Sequence, residues 1–248
     1  MRPAIFTMSP DTFHRALSYP YEIPTNSYVV NGTAHQEFAP CMAMPDVSGR
    51  QPILAVGSNQ SPEQLIRKFN GSDLGPIPVV RARLKDFDIV YSPHVASYGA
   101  IPATLRHSPG TRVTLSVNWL TPAQVTRMHE TEIPTGNYHF GRLDGIELEL
   151  DFGPAMTSTF VYSSRRGSLT REGVPVALAA VRAENRVWPA LSQEEIQNHA
   201  RDKTASDQPL ETFIQTAIED VTARKDRTRA LMSDSLPFNY SGFTRIEI

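Results

Sequence analysis

The sequence is poor in cysteine, with one residue, Cys41, among 248. A disulfide within the chain is thereby excluded, and a zinc site built on several thiolates cannot form. Net charge is equally scarce. The formal value is −2 at pH 7, which gives no bulk field to gather nucleic acid or anionic lipid, so neither partner is expected. Long apolar runs are missing too, since no window approaches the roughly 18 apolar residues of a membrane span. The opening MRPAIFTMSPDTFHRAL has no basic stretch followed by an apolar run. A secretory leader is therefore not expected, and the cytoplasm is the default. There is no G-x-G-x-x-G, no phosphate-binding P-loop, no G-x-S-x-G elbow and no H-E-x-x-H. No cofactor, metal or activated serine is expected on these grounds.

What is present reads as globular: 40% hydrophobic and 20% charged residues, with 20 prolines scattered through the chain. Prolines at 3, 10, 20, 24, 40 and 45 interrupt residues 1–50. That stretch reads as an extension laid over a core, with a short helix near Pro10–Leu17 and a strand at Tyr28–Val30. The core begins at Ile53-Leu54-Ala55-Val56, a buried strand running into Gly57. Ser61, Pro62 and Gln64 then predict a helix opened by a capping box, so Gly57-Ser58-Asn59-Gln60 joins strand to helix. Further strands are expected at Phe87–Tyr91, Ile101–Leu105, Val113–Leu120, Tyr138–Leu143, Ile146–Phe152 and Ser158–Tyr162, with a turn at Ser108-Pro109-Gly110. Thr121-Pro122-Ala123-Gln124 predicts another capped helix, running to about His129. From Leu191 the character becomes helical. Ser192 caps one helix, and a second follows Pro209 with an apolar stripe from Leu210 to Val221. Several consecutive strands with few helices indicate an α+β class with a barrel-like mixed sheet. The expected organisation is an N-terminal extension (1–50), a core domain (51–190) and a C-terminal helical extension (191–248). An assembly of identical copies stays open.

Two places could carry chemistry. Gly57, Ser58 and Asn59 lie where backbone N–H groups feed a helix N-terminus and can cradle an anion. Alone, this tripeptide reads first as an ordinary tight turn. His129-Glu130-Thr131-Glu132 falls just past a helix, and the ordinary reading is a solvated helix end. A carboxylate buried at that negative end of the dipole would have its pKa raised, as a general acid or base near neutral pH requires. Cys41 has no neighbouring His and reads as an incidental thiol. Arg165, Arg166 and Arg171 form a basic loop, either solvated or gating a substrate.

Taken in order, AVGSNQSPEQLIRKF, VVRARLKDFDIVYS, YGAIPATLRHSPGTRV, LTPAQVTRMHETE and NYHFGRL resemble the gamma-glutamylcyclotransferase family. Its corresponding pieces look like Y-G-S-N-L, A-R-L-x-D-F, G-x-A-T with S-P-G, a helix ending L-D-x-x-E, and a Tyr-bearing strand. The resemblance covers about residues 52–165, with a weaker echo to about 190. It implies a small mixed α/β barrel ringed by helices. It also implies an enzyme that cyclises a small-molecule gamma-glutamyl amine or peptide to 5-oxoproline and releases the amine, without cofactor. The family's acid/base glutamate falls on Glu132, its anion loop on Gly57, Ser58 and Asn59 with Gln60 following, and its strand tyrosine on Tyr138. Val56 stands where the family has Tyr, which removes a ring and a hydroxyl near the pocket and bears on the substrate. Gln60 replaces a Leu, and His129 replaces the motif's Asp, which reads as a surface change. A binding module without turnover, or an enzyme acting on another small amide or carboxylate, remains an alternative on the same fold.

Overall fold

The structure, a computed structural model, describes residues 9–38 and 46–248. Cys41 lies outside the described residues. The first helix, α1 (Pro10–Leu17), is capped by Ser9, whose hydroxyl accepts from the Thr12 N–H. Strands β1 (Tyr28–Asn31) and β2 (Ala34–Glu37) form a hairpin. Its first strand joins the main sheet, with Tyr28 fully buried.

Strand β3 (Gln51–Ala55) leads through the loop at Gly57 to helix α2 (Pro62–Phe69). The expected capping box is not made: Ser61 stands at the N-cap but its side chain makes no cap bond, and its hydroxyl is buried without a partner. Gln64 turns instead toward a cavity described below.

Two long strands follow, β4 (Ile77–Tyr91) and β5 (Ala103–Leu120). The sequence suggests a turn at 108–110, yet β5 runs straight through it. Asp86 alone stands opposite residues 108–111, a bulge in which Asp86 (φ 64°) and Gly110 (φ 86°) are left-handed. The Gly110 N–H donates to Asp86 Oδ1 at 2.7 Å. Pro109 lacks an N–H and is tolerated where the ladder is interrupted. The lower part of β4 carries Arg83 and Lys85 on its outer face, paired across the sheet with Glu149 and Glu147. Those charges disguise a continuous strand as a polar segment.

Helix α3 (Pro122–Glu132) opens with the expected capping box between Thr121 and Gln124. It runs one turn further than His129, so Glu130 and Glu132 sit in its last turn and not beyond it. Strand β6 (Tyr138–Leu150) absorbs two of the expected strands through a register shift near Gly145, and β7 (Met156–Ser164) follows. Helix α4 (Gln193–Thr204) has the Ser192–Glu195 capping box. The stripe after Pro209 is not one helix. It breaks after α5 (Leu210–Glu219), because Asp220 Oδ1 accepts from the N–H groups of Thr222 and Ala223 and starts α6 (Val221–Met232). A last strand, Phe243–Arg245, pairs with β6.

β5 pairs with β3 and β4, β4 with β6, β6 with β7, and β7 returns to β3 in parallel. This closes a five-stranded barrel, so the fold is α+β with, among the described residues, six helices around a mixed sheet, as the sequence class implied. Inward residues such as Leu84, Phe87, Leu115 and Val161 are buried and form the main core. Helices α1, α4, α5 and α6 pack on one side of it. Helices α2 and α3 cover the other side through Leu65, Phe69, Val125 and Met128. Asp88, fully buried, receives both Nε and Nη2 of Arg186 at 2.9 Å, tying the 170–190 segment to the barrel. Breaking such a buried pair from one side costs about 3–5 kcal/mol. Among the described residues no helix is long and apolar enough to cross a membrane.

Candidate active site

Three pieces of chain converge where β3 leaves the barrel. The first is the loop itself: after Ala55 the chain passes Val56 and Gly57 into a single 3-10 turn, Ser58–Gln60. The second is the C-terminal turn of α3, which brings Glu132. The third is the connection from β4 to β5, residues 92–102, folded tightly by a bond from the Ala96 N–H to the Ala100 carbonyl. Between them lies a cavity of about 150 Å³ bordered by Val56, Gly57, Ser58, Asn59, Glu132 and Tyr138. It is open to solvent on one side and takes a small-molecule group the size of a glutamyl residue at its inner end.

Glu132 is largely buried, its side chain 13% exposed. Asn59 Nδ2 donates to its Oε1 at 3.0 Å, and the Lys68 ammonium, itself 10% exposed, pairs with the same oxygen. Oε2 has no hydrogen-bond partner among the described residues. The sequence argument places a carboxylate at the negative end of a helix. The structure adds a neighbouring cation from the last turn of α2. Asn59 thus touches Glu132 directly and ties the loop to the carboxylate, while its own carbonyl accepts from Asn118 Nδ2 at 3.2 Å.

The loop is already partly engaged. The Tyr19 hydroxyl oxygen accepts from the backbone N–H of Ala103 at 2.8 Å and faces the Ser58 backbone, which tempers the rise in its pKa. No acceptor for its own hydrogen is found among the described residues. Gly57 makes this approach possible, since a Cβ there would fall 2.1 Å from Tyr19 Oη. Where the motif of the resembled family has a Tyr before the loop glycine, this chain has Val56, and a tyrosine from the N-terminal segment places its ring over the loop. Tyr19, Tyr98, Tyr138 and Tyr162 all border the cavity. Burial raises all four phenol pKa values, and the Glu132 charge adds to the rise, so each remains a protonated donor. The Tyr138 hydroxyl donates to the Ala103 carbonyl at 3.3 Å.

The structure does not bring Gln60 to this cavity. Gln60 is fully buried on the other side of the 3-10 turn, its carbonyl accepting from Tyr28 Oη at 2.7 Å and its Oε1 from Arg81. His129 is half-buried and not free on the surface: its ring meets Phe140 edge-on, and its Nδ1 meets Tyr162 Oη at 2.7 Å. Of the three arginines, Arg165 and Arg171 are exposed. Arg166 donates to Asn137 Oδ1 at 2.6 Å and to the Gly136 carbonyl, beside the cavity.

Lys68, Tyr19 and His94 are among the lining residues that escape the sequence reading. Lys68 lies on the helix that the loop feeds, and a lysine in the last turn of that helix was a usable signal. Tyr19 has no local pattern pointing to a loop so distant in the chain. His94, 2% exposed, is held by Ser92 Oγ at its Nδ1 (2.8 Å) and leaves Nε2 without a partner. Burial drives its pKa down to about 3, so it is neutral at physiological pH. Among the described residues no group of three or more His, Cys, Asp or Glu could hold a metal ion.

No family model and no curated protein matches the chain. Solved structures do. The chain is similar to a gamma-glutamyl cyclotransferase over 78% of its own length and 92% of that chain, at 16% identity and a TM-score of 0.38. It is similar to an uncharacterized Homo sapiens protein over 79% and 93%, at 15% identity and a TM-score of 0.37. A protein from Arabidopsis thaliana solved in solution matches over 48% of this chain and 72% of its own, at 17% identity and a TM-score of 0.36. Likeness at this level carries no argument for the fold or the reaction, and the fold rests on the strand pairing itself. The barrel ringed by helices that the motif order implied is the one its own strand pairing shows, and a gamma-glutamyl cyclotransferase stands among the solved structures it is similar to.

Proposed function

We propose that this chain is a cofactor-independent enzyme of the gamma-glutamylcyclotransferase type. The observation that carries the reading is the division of labour on Glu132. One oxygen is fixed by Asn59 and Lys68, while the other is unpartnered beside a cavity sized for one glutamyl group.

The substrate brings its own nucleophile, an α-amine able to close a five-membered ring onto the γ-carbonyl. Confinement in a small cavity supplies the folded-back conformer and the proximity that the reaction needs. Glu132 Oε2 takes a proton from the α-ammonium, and the freed amine attacks the carbonyl carbon. The new C–N bond forms as the carbonyl π electrons move to oxygen. That oxyanion is met by the Tyr19 hydroxyl, whose oxygen is polarised by the Ala103 N–H it accepts from, and whose hydrogen is unspent. Collapse of the intermediate breaks the bond to the departing nitrogen. Two protons leave the α-nitrogen as it becomes a lactam N–H, and two reach the departing amine, so Glu132 works twice in each direction. The remaining N–H groups of the 57–59 loop serve the substrate α-carboxylate.

The test is release of 5-oxoproline from a panel of γ-glutamyl amides and dipeptides, with wild type and Glu132→Gln measured side by side. Turnover by the wild type and its loss in a variant that melts normally is the expected result. A panel with no turnover at all, or equal turnover by both proteins, overturns the reading.

A further inference from the structure

With the glutamyl half of a conjugate at Glu132 in the first cavity, the amine half extends toward the adjoining space. The wall of the first cavity continues into a second cavity of about 680 Å³, and the two share His94, Ala96, Ser97, Thr135 and Asn137. The far wall of the second is α6. Four cationic side chains border it, Arg166, Arg224, Lys225 and Arg229, and no Asp or Glu does among the described residues.

The pairing of these cations decides the net field. Arg229 is offset by Asp226 at 2.8 Å. Arg224 is spent on the carbonyls of Ala217 and Ile218 at the end of α5, and Arg166 on Gly136 and Asn137, all neutral acceptors. Lys225 is exposed and has neither an ion pair nor a hydrogen bond among the described residues. Three positive charges are therefore left without a counter-charge around one concave wall. At the junction of the two cavities stands His94, buried, with Nε2 unpartnered. It can hydrogen-bond a group passing from one cavity into the other.

We propose that the second cavity receives the amine half of the substrate and that this half carries two negative charges, as a phosphate or as a pair of carboxylates. The direction of the substrate rests on the cyclisation reading. The charge preference rests on the cavity alone, so the two can fail separately.

Titration calorimetry on the full chain tests the preference with the amine halves themselves: phosphoethanolamine, aspartate and, as the comparison carrying no anionic group, ethanolamine. The dianionic amines are expected to bind and ethanolamine not. Lys225→Glu should weaken the dianions by about fivefold or more, with Lys225→Gln intermediate. Raised salt should weaken them as well. Binding of phosphoethanolamine without aspartate identifies phosphate; binding of both identifies charge alone. Lys225 lies on the exposed face of α6, so neither substitution threatens folding. Dianion binding that depends on Lys225, in a protein that turns over no γ-glutamyl conjugate, sinks the cyclisation reading and leaves the anion site standing. Equal binding of all three amines, indifference to Lys225→Glu, or no dianion binding up to about 10 mM overturns the inference.

Discussion

Replacing Tyr19 by Phe removes one oxygen atom from the site and should be felt twice. The ring stays packed, but the Ala103 N–H loses its acceptor. An unsatisfied buried donor costs about 1–3 kcal/mol. Water in the adjoining cavity can recover part of that, so a net loss of about 2 kcal/mol is expected. For a chain of this length that lowers the melting temperature by about 4–8 °C. In catalysis, losing one oxyanion donor costs about 10²–10³ in kcat. Because the donor acts in the transition state, kcat and kcat/KM should fall together with KM little changed. Gly57→Ala supplies an independent route to the same lesion. Its Cβ would fall 2.1 Å from Tyr19 Oη and 3.2 Å from Cζ, so the ring must leave the loop. The two substitutions should then be strongly non-additive, the double variant resembling Tyr19→Phe alone because its ring has no hydroxyl to meet the added Cβ. Thermal melts and steady-state 5-oxoproline release measure both effects. A Tyr19→Phe variant with kcat within about threefold of wild type, or fully additive effects, refutes the assignment of the hydroxyl.

Glu132→Gln should abolish turnover while the Lys68 ammonium keeps a neutral acceptor, so circular dichroism melts should shift by only a few degrees. His94 gives a pH dependence whose sign follows from burial: its folded pKa of about 3 lies below the ordinary 6.5, so the unfolded chain binds the extra proton. Stability should fall as pH drops below 6.5, by up to about 1.4 kcal/mol per unit for this group. Denaturant melts of His94→Asn should show a shallower slope there. Gly99 has φ 88°, and a Cβ would lie 2.8 Å from Ile214 Cγ2 and 3.3 Å from Ala16 Cβ. Gly99→Ala should therefore destabilise by about 1–3 kcal/mol through backbone strain and clash with α5 and α1, seen as a lower denaturation midpoint.

Where local chemistry decides an element, the sequence was legible. Thr121 with Gln124 and Ser192 with Glu195 read directly as caps, and both boxes are present. Fixing the start of α3 is what allowed Glu132 to be placed near its end. Where tertiary packing decides, the reading failed. Ser61 and Gln64 have the spelling of a capping box, but burial of Ser61 and the cavity beside Gln64 take their side chains elsewhere. Pro109-Gly110 has the spelling of a turn, yet five residues of β5 before it and nine after it are held by β4 and β3, and the ladder bends around them as a bulge. Asp220 was readable as an N-cap in the middle of an apolar stripe, but the stripe's period hid it. Tyr19 and His94 reach the site from an N-terminal segment and a loop, and no periodicity connects such residues to a distant cavity.

The barrel is sewn unevenly. β4 and β5 pair from Val79 to Tyr91, whereas the parallel seam between β3 and β7 registers only Ile53 with Phe160 and Leu54 with Val161. During synthesis β3 must wait for residues more than a hundred positions downstream before its second edge is covered, and closure of so long a loop is slow relative to hairpin formation. In the finished protein the same seam is the line along which the cylinder opens at least cost. Amide protons of Ile53 and Leu54 should exchange with solvent earlier than those of the β4–β5 ladder. Because Leu54 is two residues from Val56 and three from Gly57, breathing along this seam moves the floor of the cavity, and the mouth through which a ligand enters is hinged on the weakest stitch of the fold.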